Sequence, residues 1–347
     1  MADQDRLAAR YDRIVRLCEA GGDARELRLR LLDEVRAAVG FDAYAFLLTD
    51  PETAVGCAPV ADVPCLPELP RLIRLKYLTR ANRWTAVRDV ALLSDRPEGD
   101  RGPLWRDLLQ AHRIRDVASM AFRDRHGSWG FLDLWRAGRD FSPAEAAHLA
   151  RLTAPITAAL RRSQAATFVV RQREAPRPGP LVLLLSPELQ VLGQTPDTHA
   201  YLRVLVPPEQ GRPPVPAGAY NVAAQLLAVE AGVDPHPPRA RVHLTDGLWL
   251  TLRAARLGEE GPTERRTIAV TIEETSPGER LAVYARAFAL TPRESELLGL
   301  LATGADSHTV AGSMYVSEHT VQDHLKSVFA KTGTHNRRDL LARALGG

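Results

Sequence analysis

The stretch VSEHTVQDHLKSVFAK at 316–331 reads as one short helix with two unlike sides. At about 100° per residue, Val321, Leu325, Val328 and Thr332 fall within one narrow sector. His319, Gln322, Asp323 and Lys326 point the other way. A seam this narrow must dock on neighbouring helices, and the polar side is left outward.

The neighbours are legible too. Thr291-Pro292-Arg293-Glu294 supplies a hydroxyl N-cap, proline at the first helical position and glutamate at the third. The helix it starts buries Leu297, Leu298 and Leu301 and stops at Gly304, a residue free to take the left-handed cap. A second helix runs from about Ser307 to Met314 behind Asp306, burying Val310, Ala311 and Met314. After a turn at Tyr315–Val316, Ser317 caps the two-sided helix, and a fourth runs from about Arg337 to Leu345. Two short helices joined by a tight turn, the second of them two-sided, describe a helix-turn-helix. Its outer face suits a major groove, where Gln pairs with adenine, Asp accepts from cytosine and Lys donates to guanine. Periodicity alone equally allows the solvated face of a small helical bundle.

The segment resembles the DNA-binding domain of the LuxR/NarL family. It carries L-T-x-R-E-x-E-x-L-x-L-L-A-x-G from Leu290 and S-E-x-T-V-x-x-H-L-x-x-V-F-x-K-x-G from Ser317. The resemblance implies a four-helix module with its third helix in the groove and its fourth in dimer contacts. It makes Ser317, His319, Thr320, Gln322, Asp323, Lys326 and Lys331 the expected DNA-binding residues. Leu340, Leu341 and Ala344 become the expected dimer contacts. Gln322 and Thr332 stand where family members often have Lys and Leu. Residues 290–347 hold six Lys/Arg and six Asp/Glu, so the module is neutral before histidine protonation. Phosphate neutralisation supplies much of protein–DNA affinity, so a lone module should bind weakly and a homodimer is expected.

Upstream, 347 residues exceed one ordinary core. The proline-rich REAPRPGP (173–180) follows a helix that begins at Ser142-Pro143-Ala144-Glu145. Before it come helical runs at 5–20 and 24–39, a strand near Tyr44–Thr49 and two strands within 116–138. That order, with the G-x-W-G-F-L-D-L strand read loosely from Gly127 and FSPAEAAHLARL at 141–152, resembles a GAF sensor domain. The middle alternates strands at 181–185, 189–193, 240–245, 248–256 and 267–274 with helices near 196–205 and 219–231. Its opening is similar to a PAS domain. A further capped helix at 277–289 places Leu281, Tyr284 and Phe288 on one stripe, either a dimer seam or core.

The expected fold class is multidomain α+β, two antiparallel-sheet sensor domains followed by an all-α helix-turn-helix domain. The expected boundaries are 1–165 (GAF-like), 166–180 (linker), 181–275 (PAS-like), 276–289 (connecting helix) and 290–347 (helix-turn-helix). The resemblance implies a sequence-specific transcriptional regulator with double-stranded DNA as partner and RNA polymerase as a further candidate. Sensor domains of these kinds hold small molecules; Trp84, Trp105, Trp129 and Trp135 either line such a pocket or fill the core. No catalytic set, cofactor or metal site is assigned. The start of the chain lacks a secretory signature, no apolar run approaches the ~20 residues of a membrane helix, and three cysteines form no CxxC pair. A cytoplasmic location is therefore expected. Two alternatives stand beside this reading. One is a protein-interaction regulator that does not read DNA; the other is a GAF-type oxidoreductase using Cys57 or Cys65.

Overall fold

The computed structural model describes residues 2–169, 181–198, 217–245, 247–258 and 266–346. They divide into two compact units. The first takes in 1–160, 178–242 and 251–273; the second takes in 161–177, 243–250 and 274–347.

The first unit opens with α1 (Ala2–Ala20) and α2 (Ala24–Val39), the latter capped by the Asp23 carboxylate on the Arg25 and Glu26 amides. β1 (Ala43–Thr49), β2 (Gly56–Asp62), β3 (Val90–Leu92), β4 (Asp116–Asp124) and β5 (Gly127–Arg136) form an antiparallel sheet of order β2-β1-β5-β4-β3. Its two faces are buried differently. A Cβ at Gly130 would lie 2.6 Å from the Leu47 carbonyl and 3.3 Å from the Leu160 side chain, so this position needs glycine. That is the face under α5 (Pro143–Ala166), whose Leu149, Leu152, Ile156 and Leu160 are fully buried at helical spacing. The helix continues through Pro155. On the other face, Val117 and Trp135 pack with Leu72 and Leu75 of α3 (Leu69–Leu78) and with Trp105, Leu108 and Leu109.

A second five-stranded sheet has the order β7-β6-β10-β9-β8. Its strands are β6 (Leu181–Leu185), β7 (Val191–Gln194), β8 (Arg239–Thr245), β9 (Leu248–Arg256) and β10 (Ile268–Glu274). These lie close to the expected spans, as does the helix Ala217–Glu230, numbered α6 after α4 (Gly102–Leu104). The helix expected at 196–205 lies mostly outside the described residues. Within the unit, Asn221 of α6 donates to the Gly56 carbonyl at 2.8 Å. Arg83 donates to Asp234 at 2.8 Å and to Gln225 at 3.0 Å.

Over 50–115 the sequence carries little periodicity. β2, α3 and β3 are short, and Pro59 interrupts the strand pattern.

The second unit contains α7 (Pro277–Ala287), α8 (Pro292–Ala302), α9 (Ser307–Met314), α10 (Glu318–Thr332) and α11 (Arg337–Leu345). Phe168 stacks on Trp249 at 4.9 Å and meets Tyr284 edge-on at 5.1 Å. Tyr284 also lies 4.5 Å from Phe288. The Leu281/Tyr284/Phe288 stripe thus places its central residue, Tyr284, in a core. Arg280 donates to the Gly247 carbonyl at 2.7 Å, beside this cluster.

Candidate nucleic-acid interface

Local chemistry fixes each helix of the second unit. Thr291 and Glu294 form a reciprocal capping box at the start of α8. Asp306, Ser317 and Asn336 each accept an amide three residues on, opening α9, α10 and α11. Gly333 closes α10 in the left-handed conformation with φ +64°, where glycine carries no Cβ penalty.

Val321, Leu325, Val328 and Thr332 are buried, so the seam of α10 is as the spacing predicts. His319, Gln322, Asp323 and Lys326 are exposed, with Lys326 74% open to solvent. On this face Asp323 is shared. Lys326 Nζ lies 3.3 Å from it and His319 Nε2 3.6 Å away. Surface pairs of this kind contribute about 0–1 kcal/mol, so the Lys326 ammonium is released cheaply to another anion. Gln322 Nε2 lies 3.5 Å from Ser307 Oγ, and His308 pairs with Glu318 at 3.0 Å. The N-termini of α9 and α10 therefore border one polar surface.

The remaining expected contacts fall elsewhere. Ser317 and Thr320 share a hydroxyl contact of 2.9 Å at the helix cap. Lys331 is bound at 2.6 Å to Glu294, a carboxylate buried behind the helix, and so is a brace rather than a free cation. Leu340 and Ala344 are fully buried in the protomer, which corrects their expected place in a dimer contact. They face inward because α11 itself needs an apolar seam to dock. Leu341 alone of the three is half-buried and reaches the surface.

Two residues were missed. Glu294 is readable as the third residue of a capping box, but its bonds to Ser327 and Lys331 on α10 are not local in sequence. Tyr315 occupies the turn before α10 in the left-handed region (φ 55°, ψ 45°) and is 95% exposed. This conformation costs a non-glycine residue on the order of 1–2 kcal/mol, partly offset by the smaller chain entropy that tyrosine loses on folding. Tyr315→Gly is therefore expected to stabilise the second unit by about 0.5–1 kcal/mol. Thermal unfolding of the full chain checks it; a drop in midpoint refutes the strain.

Residues 289–344 match the family model described as bacterial regulatory proteins, luxR family. The chain is 39% identical over 54 residues to the monoamine regulon transcriptional regulator of Klebsiella aerogenes, 16% of this chain and 24% of that protein. It is 40% identical over 55 residues to the CsgBAC operon transcriptional regulatory protein of Escherichia coli, 16% and 26% of the respective lengths. Over 88 residues it is 33% identical to a probable HTH-type transcriptional regulator, GfsR, of Streptomyces halstedii, 25% and 36% of the respective lengths. The chain thus spans about a quarter to a third of the length of these relatives. Its C-terminal part is a LuxR-type helix-turn-helix domain.

Proposed function

We propose that this helix-turn-helix domain reads double-stranded DNA, and that the chain acts as a homodimeric, cytoplasmic transcriptional regulator modulated by its N-terminal unit. One observation carries the reading: α10 buries its apolar seam and leaves Gln322, Asp323 and Lys326 outward together. That is the geometry a groove-reading helix requires. The match of residues 289–344 to the luxR family supports it, as does the likeness to proteins named as transcriptional regulators. Leu341 is the outward position on α11 for a dimer contact. RNA polymerase is a further partner on this reading.

Lys326→Ala tests the proposal. Lys326 touches no core residue through its ammonium, so the thermal midpoint should stay unchanged. With a DNA site selected from a random pool, the variant should bind about 1–3 kcal/mol more weakly and relax its preference at one base pair if Lys326 reaches a base edge. If Lys326 meets phosphate, affinity should fall evenly over sequences and the salt slope should shrink by about one. A folded variant with parental affinity, preference and slope would exclude Lys326 from the interface. Absence of any DNA binding by the parent chain would favour the protein-interaction alternative.

The oxidoreductase alternative meets a physical obstacle. Cys57 and Cys65 are buried, and burial pushes their thiols up to about 12 and about 11. A thiolate nucleophile needs the opposite shift.

A further inference from the structure

Each of the helices α7 to α11 is followed by a residue in the left-handed region. After α8, α10 and α11 that residue is a glycine: Gly304 (φ +87°), Gly333 (φ +64°) and Gly346 (φ +101°). After α7 it is Ala289 (φ +54°), which carries only a methyl group. After α9 it is Tyr315 (φ +55°). Where the conformation alone is needed, the side chain is thus absent or minimal. At Tyr315 it is large, and the fold gains nothing from it. The residue is 95% exposed, against 59% for Leu192, the next most exposed large hydrophobic among the described residues. A strained residue with no return from packing points to a task outside the fold.

The backbone fixes where this side chain stands. The Tyr315 amide donates to the Gly312 carbonyl at 3.3 Å and the Val316 amide to the Ala311 carbonyl at 3.0 Å, tying the turn to the end of α9. Two residues on, Ser317 accepts the Thr320 amide at 3.1 Å and opens α10. In a helix-turn-helix on DNA, the first helix crosses the sugar-phosphate backbone and the second enters the major groove by its N-terminal end. The turn between them therefore lies at the edge of the groove, where an outward side chain meets phosphates. Tyrosine is among the donors that serve there. An uncharged donor has particular value in this module, because residues 290–347 hold six Lys/Arg against six Asp/Glu and Lys331 is already bound to Glu294. A protein partner would call for an apolar patch. From α8 to α11 no other large hydrophobic side chain is exposed among the described residues, and the exposed chain neighbours Gly312, Ser313, Ser317 and Glu318 are small or polar.

From these observations we infer that Tyr315 is a DNA contact whose hydroxyl donates to a backbone phosphate at the edge of the groove that α10 enters. The inference rests on the DNA-reading function proposed above. It adds a contact that positions the domain on the duplex without reading sequence.

The test follows the affinity of the full chain for a DNA site selected from a random pool, as a function of salt, together with the thermal midpoint. Tyr315→Phe keeps the ring and drops the hydroxyl. It should bind about two- to tenfold more weakly, the worth of one neutral hydrogen bond, and equally so on matched and mismatched sites. Its midpoint and salt slope should be parental, because no charge is lost. Tyr315→Gly should bind at least as weakly as Tyr315→Phe although it is the more stable protein. Tyr315→Lys brings an ammonium within reach of the same phosphate, so it should restore parental affinity or better and steepen the salt slope by about one. Parental affinity in Tyr315→Phe or Tyr315→Gly, on a site that the parent binds, overturns the inference in favour of a protein partner and leaves the DNA-reading function standing. A loss confined to one base position overturns it too, as does Tyr315→Lys binding no better than Tyr315→Phe. Failure of the parent to bind any DNA overturns both readings together.

Discussion

Asp50→Ala is expected to destabilise the first unit by about 3–5 kcal/mol, the cost of leaving one member of a buried ion pair alone. Asp50 and Arg241 are 0% and 1% exposed. The guanidinium donates through Nε at 2.7 Å and Nη2 at 2.8 Å, one to each carboxylate oxygen, and the Arg241 amide adds a third bond at 2.8 Å. Asp50 also accepts the Glu52 and Thr53 amides, so it holds its own turn as well as β8. Burial pushes the Asp50 carboxyl up, but the Arg241 bonds outweigh it and the group titrates below its ordinary range. In Asp50→Ala, Arg241 keeps the bond to Glu52 at 2.7 Å on the rim. The loss should therefore fall toward the lower end of the range. Urea unfolding followed by tryptophan fluorescence suits the measurement, since Trp84, Trp105, Trp129 and Trp135 all lie in the first unit. Asp50→Leu combined with Arg241→Met should recover only part of the loss, because the Glu52, Thr53 and Arg241 amides stay without their acceptor. An Asp50→Ala chain as stable as its parent would show that the pair contributes nothing.

The second large effect lies behind the proposed reading helix. Glu294→Ala should cost about 3 kcal/mol and abolish DNA binding without touching the outward face of α10. The buried carboxylate accepts the Thr291 amide at 2.7 Å, Ser327 Oγ at 2.6 Å and Lys331 Nζ at 2.6 Å. One bond caps α8; the other two hold α10. Losing them removes a helix cap and two charge-assisted bonds, and leaves the Lys331 ammonium without its partner. Glu294→Gln keeps the shape and the bond to Ser327, so its loss should be about half.

The same carboxylate gives a pH dependence of known sign. Burial raises its pKa, but the bonds from Lys331, Ser327 and Thr291 outweigh that and hold it at about 2, below the ordinary 4.5. The unfolded chain thus binds the proton more readily between these values. Glu294 contributes its full stability above pH 4.5 and loses it as pH falls toward about 2. Calorimetry of the full chain at pH 7, 4.5 and 3 should show the second unit's transition falling more steeply in the parent than in Glu294→Gln. Parallel falls would mean that the acid sensitivity resides elsewhere.

The helices of the C-terminal unit were legible because their determinants are local. A capping hydroxyl, a proline at the first helical position and a glutamate at the third act within one turn, and the seam of α10 repeats within four residues. The strands at 181–185 and 248–256 announced themselves in the same way. Between 50 and 115 the sequence said little. β3 has three residues, and the π turn at Trp105 differs from an ordinary helix only in which carbonyl each amide finds. Nor did periodicity tell which apolar residues of α11 face inward. Leu340, Leu341 and Ala344 all suit a dimer contact by type, and packing within the protomer took two of them. Lys331 suits a DNA cation by type, yet Glu294, 37 residues earlier, holds it. Asp50 and Arg241 are 191 residues apart, and nothing in either neighbourhood marks them as partners. Sequence by itself determined where helices begin and which face of α10 is apolar, because dihedral preference and side-chain spacing act over one or two turns. Only the tertiary structure decided which charges are free, which are braced and which are buried, because that depends on groups brought together across long loops of chain.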